Sequence, residues 1–143
     1  MFSWSVEASC TTSAPKENVW KLWSDVETWP MWDHGLEWCR LDGPFSAGTK
    51  GALKPKGSPT VSFELTHVEP GHSYSDLSSL PLTKLKFTHT LEKLSRGQYQ
   101  IRHRASCKGL LAPILFLTLR RDLKKGMPQS VRKLAEIAEK RKD

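Results

Sequence analysis

The sequence has few cysteines and no long apolar run. Its 143 residues include three cysteines, an odd number with no CxxC pair, so a disulfide framework is not predicted. The longest apolar run, residues 110–119, contains Pro113 and is too short to cross a bilayer. No basic stretch followed by an apolar one opens the chain, so we predict no signal peptide. The resulting expectation is a soluble, cytoplasmic protein with reduced thiols.

Familiar catalytic signatures are also missing. The chain has no glycine-rich phosphate loop, no Ser-His-Asp signature and no paired-carboxylate motif. No cysteine has a histidine close to it in sequence, so a thiol nucleophile is not predicted. An apolar content of 38%, with charges of both signs, is too high for a disordered chain. The length fits a single domain over residues 1–143.

Basic residues are in excess and unevenly placed. Lysine and arginine number 22 against 15 acidic residues, a net charge of +7. Residues 1–37 are acidic overall, and the basic residues fall on the predicted outer faces of two strands and of the last helix. A surface for nucleic acid would interleave basic residues with exposed aromatic ones, so nucleic acid is not the predicted partner. Transient attraction to an anionic membrane stays open as an alternative.

The hydrophobic period divides the chain into strands and helices. Alternation predicts seven strands, at about residues 2–12, 37–41, 49–54, 60–69, 72–80, 84–94 and 98–108. A helical pattern follows Pro15, with a second short helix or turn at 26–33. A long helix beyond Gly109 should bend near Gly126 and Pro128. Short turns between strands predict an antiparallel sheet with one face covered by this helix.

Four stretches of the chain carry a resemblance to a known family. They are APKENVWKLWSD at 14–25, TWPMW at 28–32, VEPG at 68–71 and LAE at 134–136. Together they resemble the SRPBCC superfamily (START-like, helix-grip), close to its polyketide cyclase/dehydrase group, over nearly the whole chain. The resemblance implies an α+β helix-grip fold. In that fold a curved seven-stranded antiparallel sheet wraps around a long C-terminal helix, with two short helices between the first and second strands. It also implies a hydrophobic cavity, and it supplies no universal catalytic residue.

Turn lengths predict which side chains share a row across the sheet. Two-residue loops at 70–71 and 81–82, and a three-residue loop at 95–97, set the register of four strands. The register places four residues in one row on the apolar face: His67, Tyr74, His89 and His103. The next row is then Leu65, Asp76, Phe87 and Ala105.

Polar groups on an apolar face need partners or water, and three interpretations of the row follow. The side chains bond to one another and to water, or they recognise a polar group on an otherwise apolar ligand, or they perform metal or acid–base chemistry. Three imidazoles could hold zinc, but their spacing matches no metal motif, so neither a metal nor a cofactor is predicted. A register slip of one residue would turn a histidine to solvent.

The functional hypothesis combines this row with the aromatic residues. Trp20 and Trp23 should pack on the sheet or line the cavity mouth, and Trp29 and Trp32 lie where the family closes one end of its pocket. We predict binding of a small hydrophobic or aromatic molecule. The alternatives are a cyclase/dehydratase-type enzyme and a protein-interaction module with a vestigial pocket. Acid–base candidates are His89, His103 and Asp76. Ligand-binding candidates are Trp20, Trp23, Trp32, His67, Tyr74, Phe87, His89, His103 and Phe116.

Overall fold

Seven strands and a long C-terminal helix make up most of the chain, and the computed structural model describes residues 2–141. The strands are β1 (Ser3–Thr12), β2 (Leu36–Leu41), β3 (Lys50–Pro55), β4 (Val61–Glu69), β5 (Ser73–Leu80), β6 (Thr83–Ser95) and β7 (Gln98–Gly109). The helices are α1 (Lys16–Ser24), a 3-10 turn (Val26–Thr28), α2 (Trp29–Trp32), α3 (Ala112–Leu117) and α4 (Leu119–Lys140).

The strands form one antiparallel sheet whose order is β1-β7-β6-β5-β4-β3-β2. Burial alternates along the strands, as in β7, where Ile101, His103, Ala105 and Cys107 are buried and the residues between them are more exposed. One face of the sheet therefore carries the core, as the period of two predicts. Helix α4 lies over β1 and β7 and also contacts α1 and α2. The predicted helix-grip fold is confirmed.

The C-terminal helical region is interrupted where the sequence predicts a continuous helix. Helix α3 ends before Thr118, whose backbone lies at φ −115° and ψ −76°. The Thr118 hydroxyl donates a hydrogen bond to the Ile114 carbonyl oxygen at 3.3 Å. A side chain thus donates to the carbonyl that the backbone N–H of residue 118 would bond in a continuous helix. Pro128, by contrast, lies within the continuous α4. No helix within residues 2–141 combines the length and apolar character that membrane crossing requires.

The pairing of β4 with β5 departs from the predicted register over a few residues. Glu69 pairs with Ser73, so the connecting loop has one residue more than predicted, and a bulge between Leu65 and His67 cancels the shift. Leu65 therefore pairs with Asp76 as predicted, whereas His67 pairs with Ser75. His67 consequently lies on the convex face, and its predicted place in the row is wrong. The physical reason is the bulge, which shifts the strand by one residue. The apolar Val68 then packs against the core in the place predicted for His67.

Asn18, the chain's single asparagine, joins α1 to the end of α4. It is buried, and its side-chain nitrogen donates to the carbonyl oxygens of Ala138 at 3.0 Å and Arg141 at 3.3 Å. The last carbonyl groups of a helix have no partner within it, so these bonds satisfy acceptors that would otherwise lose water without replacement.

Asn18→Ala is expected to lower the free energy of unfolding by about 1–2 kcal/mol, because the buried Ala138 carbonyl and the part-buried Arg141 carbonyl lose their donor. Urea denaturation followed by circular dichroism measures the change. Ser24→Ala is the matched control, since its hydroxyl makes one exposed contact of 3.4 Å to Lys21. We expect this control to change the free energy by less than about 0.5 kcal/mol. An equal loss in both variants would contradict the role of Asn18.

Candidate functional site

Three side chains of the predicted row meet at the centre of the concave face. Tyr74 on β5 pairs with His89 on β6, which pairs with His103 on β7, so this part of the register is confirmed. The rings of Tyr74 and His89 stack with centroids 4.0 Å apart and planes 6° apart. The His103 ring meets His89 edge-on at 4.6 Å. All three residues are buried.

Indole rings from the short helices cover this row. Trp23 of α1 is fully buried, and its ring centroid lies 5.5 Å from Tyr74 and 5.9 Å from His103. Its Nε1–H donates a hydrogen bond to His103 Nε2 at 3.3 Å. His103 Nε2 therefore accepts, and the neutral imidazole carries its proton on Nδ1.

Trp29 and Trp32 of α2 complete the cover. Trp29 stacks on Tyr74 with a centroid distance of 5.9 Å, and its Nε1–H donates to the Trp23 carbonyl oxygen at 2.9 Å. Trp32 lies 5.5 Å from His103. The sequence predicts Trp29 at the closed end of the pocket but not among the ligand-binding candidates. A residue at the start of a short helix belongs to no helical repeat of apolar residues that would show which way it faces. The Trp29-Pro30 pair is the available signal, since proline fixes the start of α2.

Burial keeps both histidines neutral. It lowers the pKa of His103 to about 3. It also lowers the pKa of His89 well below the ordinary value, and the neighbouring His103 lowers it further. Because a charged imidazole loses its hydration here, the two rings serve at neutral pH as uncharged hydrogen-bonding groups.

Asp76 lies in the next row, where it pairs with Phe87, and it is buried. Burial raises the pKa of Asp76 to about 8, so the carboxyl holds its proton at pH 7. The pKa of Tyr74 is also raised, by burial first and then by Asp76. Burial followed by Asp76 raises the pKa of the Cys39 thiol in the same way. A neutral acid thus lies one row along the sheet from the neutral imidazole of His89.

Several polar atoms of this cluster are buried without a hydrogen-bond partner among residues 2–141. They are Trp32 Nε1, the Tyr74 hydroxyl and His89 Nδ1. Buried polar atoms in proteins are normally paired, and each exception costs on the order of 1–3 kcal/mol. The cluster can therefore offer hydrogen bonds to a molecule that reaches it.

The other predicted site residues lie at varying distances from the cluster. Trp20 is half-buried and packs on Tyr74 at 6.5 Å. Phe87 faces the concave side in the row of Asp76. His67 lies on the convex face, with Nε2 at 3.1 Å from the Ser73 hydroxyl oxygen, so the three imidazoles do not converge.

Phe116 is the second misplaced residue. The sequence predicts it as a ligand-binding residue, but it lies on the surface of α3 and is 37% exposed. Its ring contacts Phe2 at 5.7 Å and the Arg120 guanidinium at 4.8 Å. The break at Thr118 separates α3 from the helix that covers the sheet, which is why the apolar run 110–119 does not turn wholly inward.

Phe87 marks where the concave face is less covered. Its strand β6 is central, between β5 and β7, yet the residue is only half-buried. Its neighbours in the row, Asp76 and Ala105, are buried. The indoles of Trp23, Trp29 and Trp32 thus cover the Tyr74 row more completely than the row of Phe87.

Comparison with known structures establishes the fold. The aromatase/cyclase Zhui from Streptomyces sp. superposes with a TM-score of 0.80 at 13% identity, over 98% of this chain and 96% of its own. Norcoclaurine synthase from Thalictrum flavum, in complex with dopamine and hydroxybenzaldehyde, has a TM-score of 0.75 at 10% identity, over 99% of this chain and 90% of its own. Ara h 8.0201 has a TM-score of 0.73 at 16% identity, over 96% of this chain and 98% of its own.

The sequence itself matches a family model, whereas no curated protein matches the sequence. The model described as polyketide cyclase / dehydrase and lipid transport matches residues 3–139, which is nearly the whole length and includes every element that builds the concave face. The chain therefore belongs to the polyketide cyclase/dehydrase and lipid-transport family of the SRPBCC superfamily.

Proposed function

We propose that the protein binds a small aromatic or hydrophobic molecule that carries a hydrogen-bonding group, between the concave face of the sheet and α4. The observation that carries the proposal is the group of buried, unpartnered polar atoms: Trp32 Nε1, the Tyr74 hydroxyl and His89 Nδ1. A ligand hydroxyl or carbonyl within reach of them would relieve a cost of on the order of 1–3 kcal/mol for each atom it satisfies.

The surroundings of these atoms suit an apolar ligand body. Phe87 is half-buried on the concave face, beside the protonated Asp76, so an apolar surface lies next to the polar atoms. Sites for small molecules commonly combine an apolar lining with a few placed polar groups. The family description includes lipid transport, and norcoclaurine synthase holds dopamine and hydroxybenzaldehyde, which are aromatic molecules with polar substituents.

Access to the row depends on the short helices. Trp23, Trp29 and Trp32 come from the segment 16–32. Trp23 and Trp29 lie over Tyr74 and His89, and Trp32 lies against His103. We propose that a ligand enters over Phe87, or that the segment moves outward to admit it, and that it reaches the Tyr74 hydroxyl.

Tyr74→Phe is expected to weaken binding of 2-naphthol about 5- to 30-fold, since one hydrogen bond from a desolvated hydroxyl contributes about 1–2 kcal/mol. Isothermal titration calorimetry measures the dissociation constant. The chain's other tyrosine, Tyr99, lies near the β6–β7 turn, so Tyr99→Phe is the matched control and should leave the constant unchanged. Equal affinities in Tyr74→Phe and the wild type would contradict the proposal.

A cyclase/dehydratase reaction is the second candidate, favoured by one observation. A carboxyl that keeps its proton at pH 7, Asp76, lies one row along the sheet from an imidazole that keeps its lone pair, His89. A dehydration needs both groups, because a base removes a proton from carbon while an acid protonates the hydroxyl that leaves as water. Mass spectrometry of a poly-β-ketone incubated with the protein distinguishes turnover from binding alone, since each dehydration removes one water.

A further inference from the structure

Large apolar side chains are exposed together at one end of the molecule. Leu82 is 78% exposed and Leu117 is 70% exposed. We call this surface the apolar end, and its residues are Phe2, Leu82, Leu110, Ile114, Phe116 and Leu117. Single exposed apolar residues are ordinary, but a contiguous group of this kind marks an interaction surface.

The sheet register brings these residues together from three parts of the chain. Thr83 pairs with Gly109, which places the β5–β6 turn beside the start of the helical region. The Leu110 amide donates to the Leu82 carbonyl oxygen at 2.9 Å. Phe2 and Phe116 meet edge-on at 5.7 Å. These contacts make the group one continuous surface, although its residues come from distant parts of the sequence.

The β5–β6 turn itself exposes a leucine at an unfavourable position. Leu82 has φ +51°, and it is the one non-glycine residue with positive φ among residues 2–141. Glycine or asparagine would adopt this conformation with less strain. A leucine held there, pointing into solvent, gains nothing from burial within the described fold.

Basic residues border the apolar end. A groove of roughly 450 Å³ is lined by Phe116 and Leu117 and, from the first half of α4, by Arg120, Arg121, Lys124 and Lys125. A second hollow of roughly 440 Å³ is lined by Phe2, Leu82, Gly109, Leu110 and Pro113. Asp122 is the one acidic residue in the segment 109–126. The surface thus joins apolar side chains to a concentrated positive charge.

We propose that the apolar end docks on the surface of an anionic lipid bilayer. The apolar side chains enter the boundary between headgroups and acyl chains, and the four basic residues in the first half of α4 contact lipid phosphates and carboxylates. A helical surface with one apolar and one basic side fits this interface, and negative lipids attract each nearby cation. A protein partner would not require the positive charge to border the apolar residues so closely.

Cosedimentation with vesicles tests the proposal without any ligand for the concave face, so its outcome is independent of the proposed function. The expected result is binding to phosphatidylcholine vesicles that contain about 30% phosphatidylserine, and at least tenfold weaker binding to phosphatidylcholine alone. Raising the salt to about 0.5 M should weaken binding as well, because it screens the charges.

Variants assign the binding to this surface. Leu82→Glu, Leu117→Glu and the pair Lys124→Gln/Lys125→Gln should each weaken binding to the anionic vesicles at least tenfold. The controls lie at the β6–β7 turn, the opposite end of the sheet: Leu94→Glu, where the leucine is 50% exposed, and the pair Lys93→Gln/Arg96→Gln. They should stay within about twofold of the wild type.

Two outcomes would overturn the proposal. One is vesicle binding that the variants at the apolar end leave intact. The other is the absence of vesicle binding by the wild type, together with a stable dimer in analytical ultracentrifugation that Leu82→Glu and Leu117→Glu dissociate. In that case the partner of the apolar end would be a second copy of the chain.

Discussion

Replacing Trp23 by alanine is expected to lower the free energy of unfolding by about 3–5 kcal/mol, which is a large part of the 5–15 kcal/mol typical of a domain. The side chain is fully buried, and its ring lies about 6 Å or less from those of Tyr74, His89 and His103. Its removal leaves a cavity between α1 and the sheet. It also leaves His103 Nε2 without a donor.

Urea denaturation followed by far-ultraviolet circular dichroism measures this loss. Trp38→Ala is the matched control, because Trp38 is only half-buried and its ring lies 5.6 Å from the Arg40 guanidinium. We expect about 1 kcal/mol for the control. If Trp23→Ala does not fold, Trp23→Phe keeps most of the ring, and the unpaired His103 nitrogen alone should cost about 1–3 kcal/mol. A loss in Trp23→Ala no greater than in Trp38→Ala would contradict the described packing.

The second large effect is a maximum of stability near pH 6.5. The pKa of His103 falls to about 3 in the folded protein, and the pKa of His89 is lowered too, against 6.5 for an unperturbed histidine. Below pH 6.5 the unfolded chain therefore binds more protons than the folded one. Each histidine then removes about 1.4 kcal/mol of stability per pH unit as the pH falls.

Asp76 acts in the opposite direction. Its pKa is about 8 in the folded protein and 3.8 for an unperturbed aspartate, so between these pH values the folded state holds the additional proton. Stability from this group is lost as the pH rises toward 8, again by about 1.4 kcal/mol per unit. Burial also raises the pKa values of Tyr74, Cys39 and Asp33.

Asp76→Asn separates the two contributions. The variant keeps the shape of the side chain without its titration, so the loss of stability between pH 6.5 and 8 should disappear. The decline below pH 6.5 should become steeper, from about 1.4 to about 2.7 kcal/mol per unit, because only the histidines then titrate. Urea denaturation at half-unit steps of pH gives the profile. Asp25→Asn, at an exposed position, should reproduce the wild-type shape. A wild-type profile without a decline above pH 6.5 would contradict a buried, protonated Asp76.

The alternation of side chains predicts all seven strands because the period of two reflects which face each residue occupies. The row of Tyr74, His89 and His103 is also predictable, since the turn residues between β5, β6 and β7 set the loop lengths. In the β6–β7 turn Gly97 has a positive φ of 77°. Ser95 pairs with Gln98 through a bulge, so this loop is one residue shorter than predicted.

The remaining errors have physical causes that composition does not reveal. Pro70-Gly71 suits a two-residue loop as well as the longer one that forms, and the bulge before His67 has no signature residue. Phe116 belongs to an apolar run that continues the pattern of the long helix, and only the break at Thr118 turns it outward. The polar atoms that lack partners depend on ring orientations, which no sequence pattern specifies.

The compensating shifts in the β4–β5 pair have a conformational consequence. The loop adds one residue and the bulge removes it, so the pairing of Leu65 with Asp76 is the same with or without them. The altered pairing is therefore confined to residues 66–72, and the rest of the sheet keeps its register. Within this segment Val68 pairs with Tyr74, a place that His67 would take in a register without the bulge. One inserted residue thus decides which side chain lies beside the aromatic row, while the partners on either side of the segment stay the same.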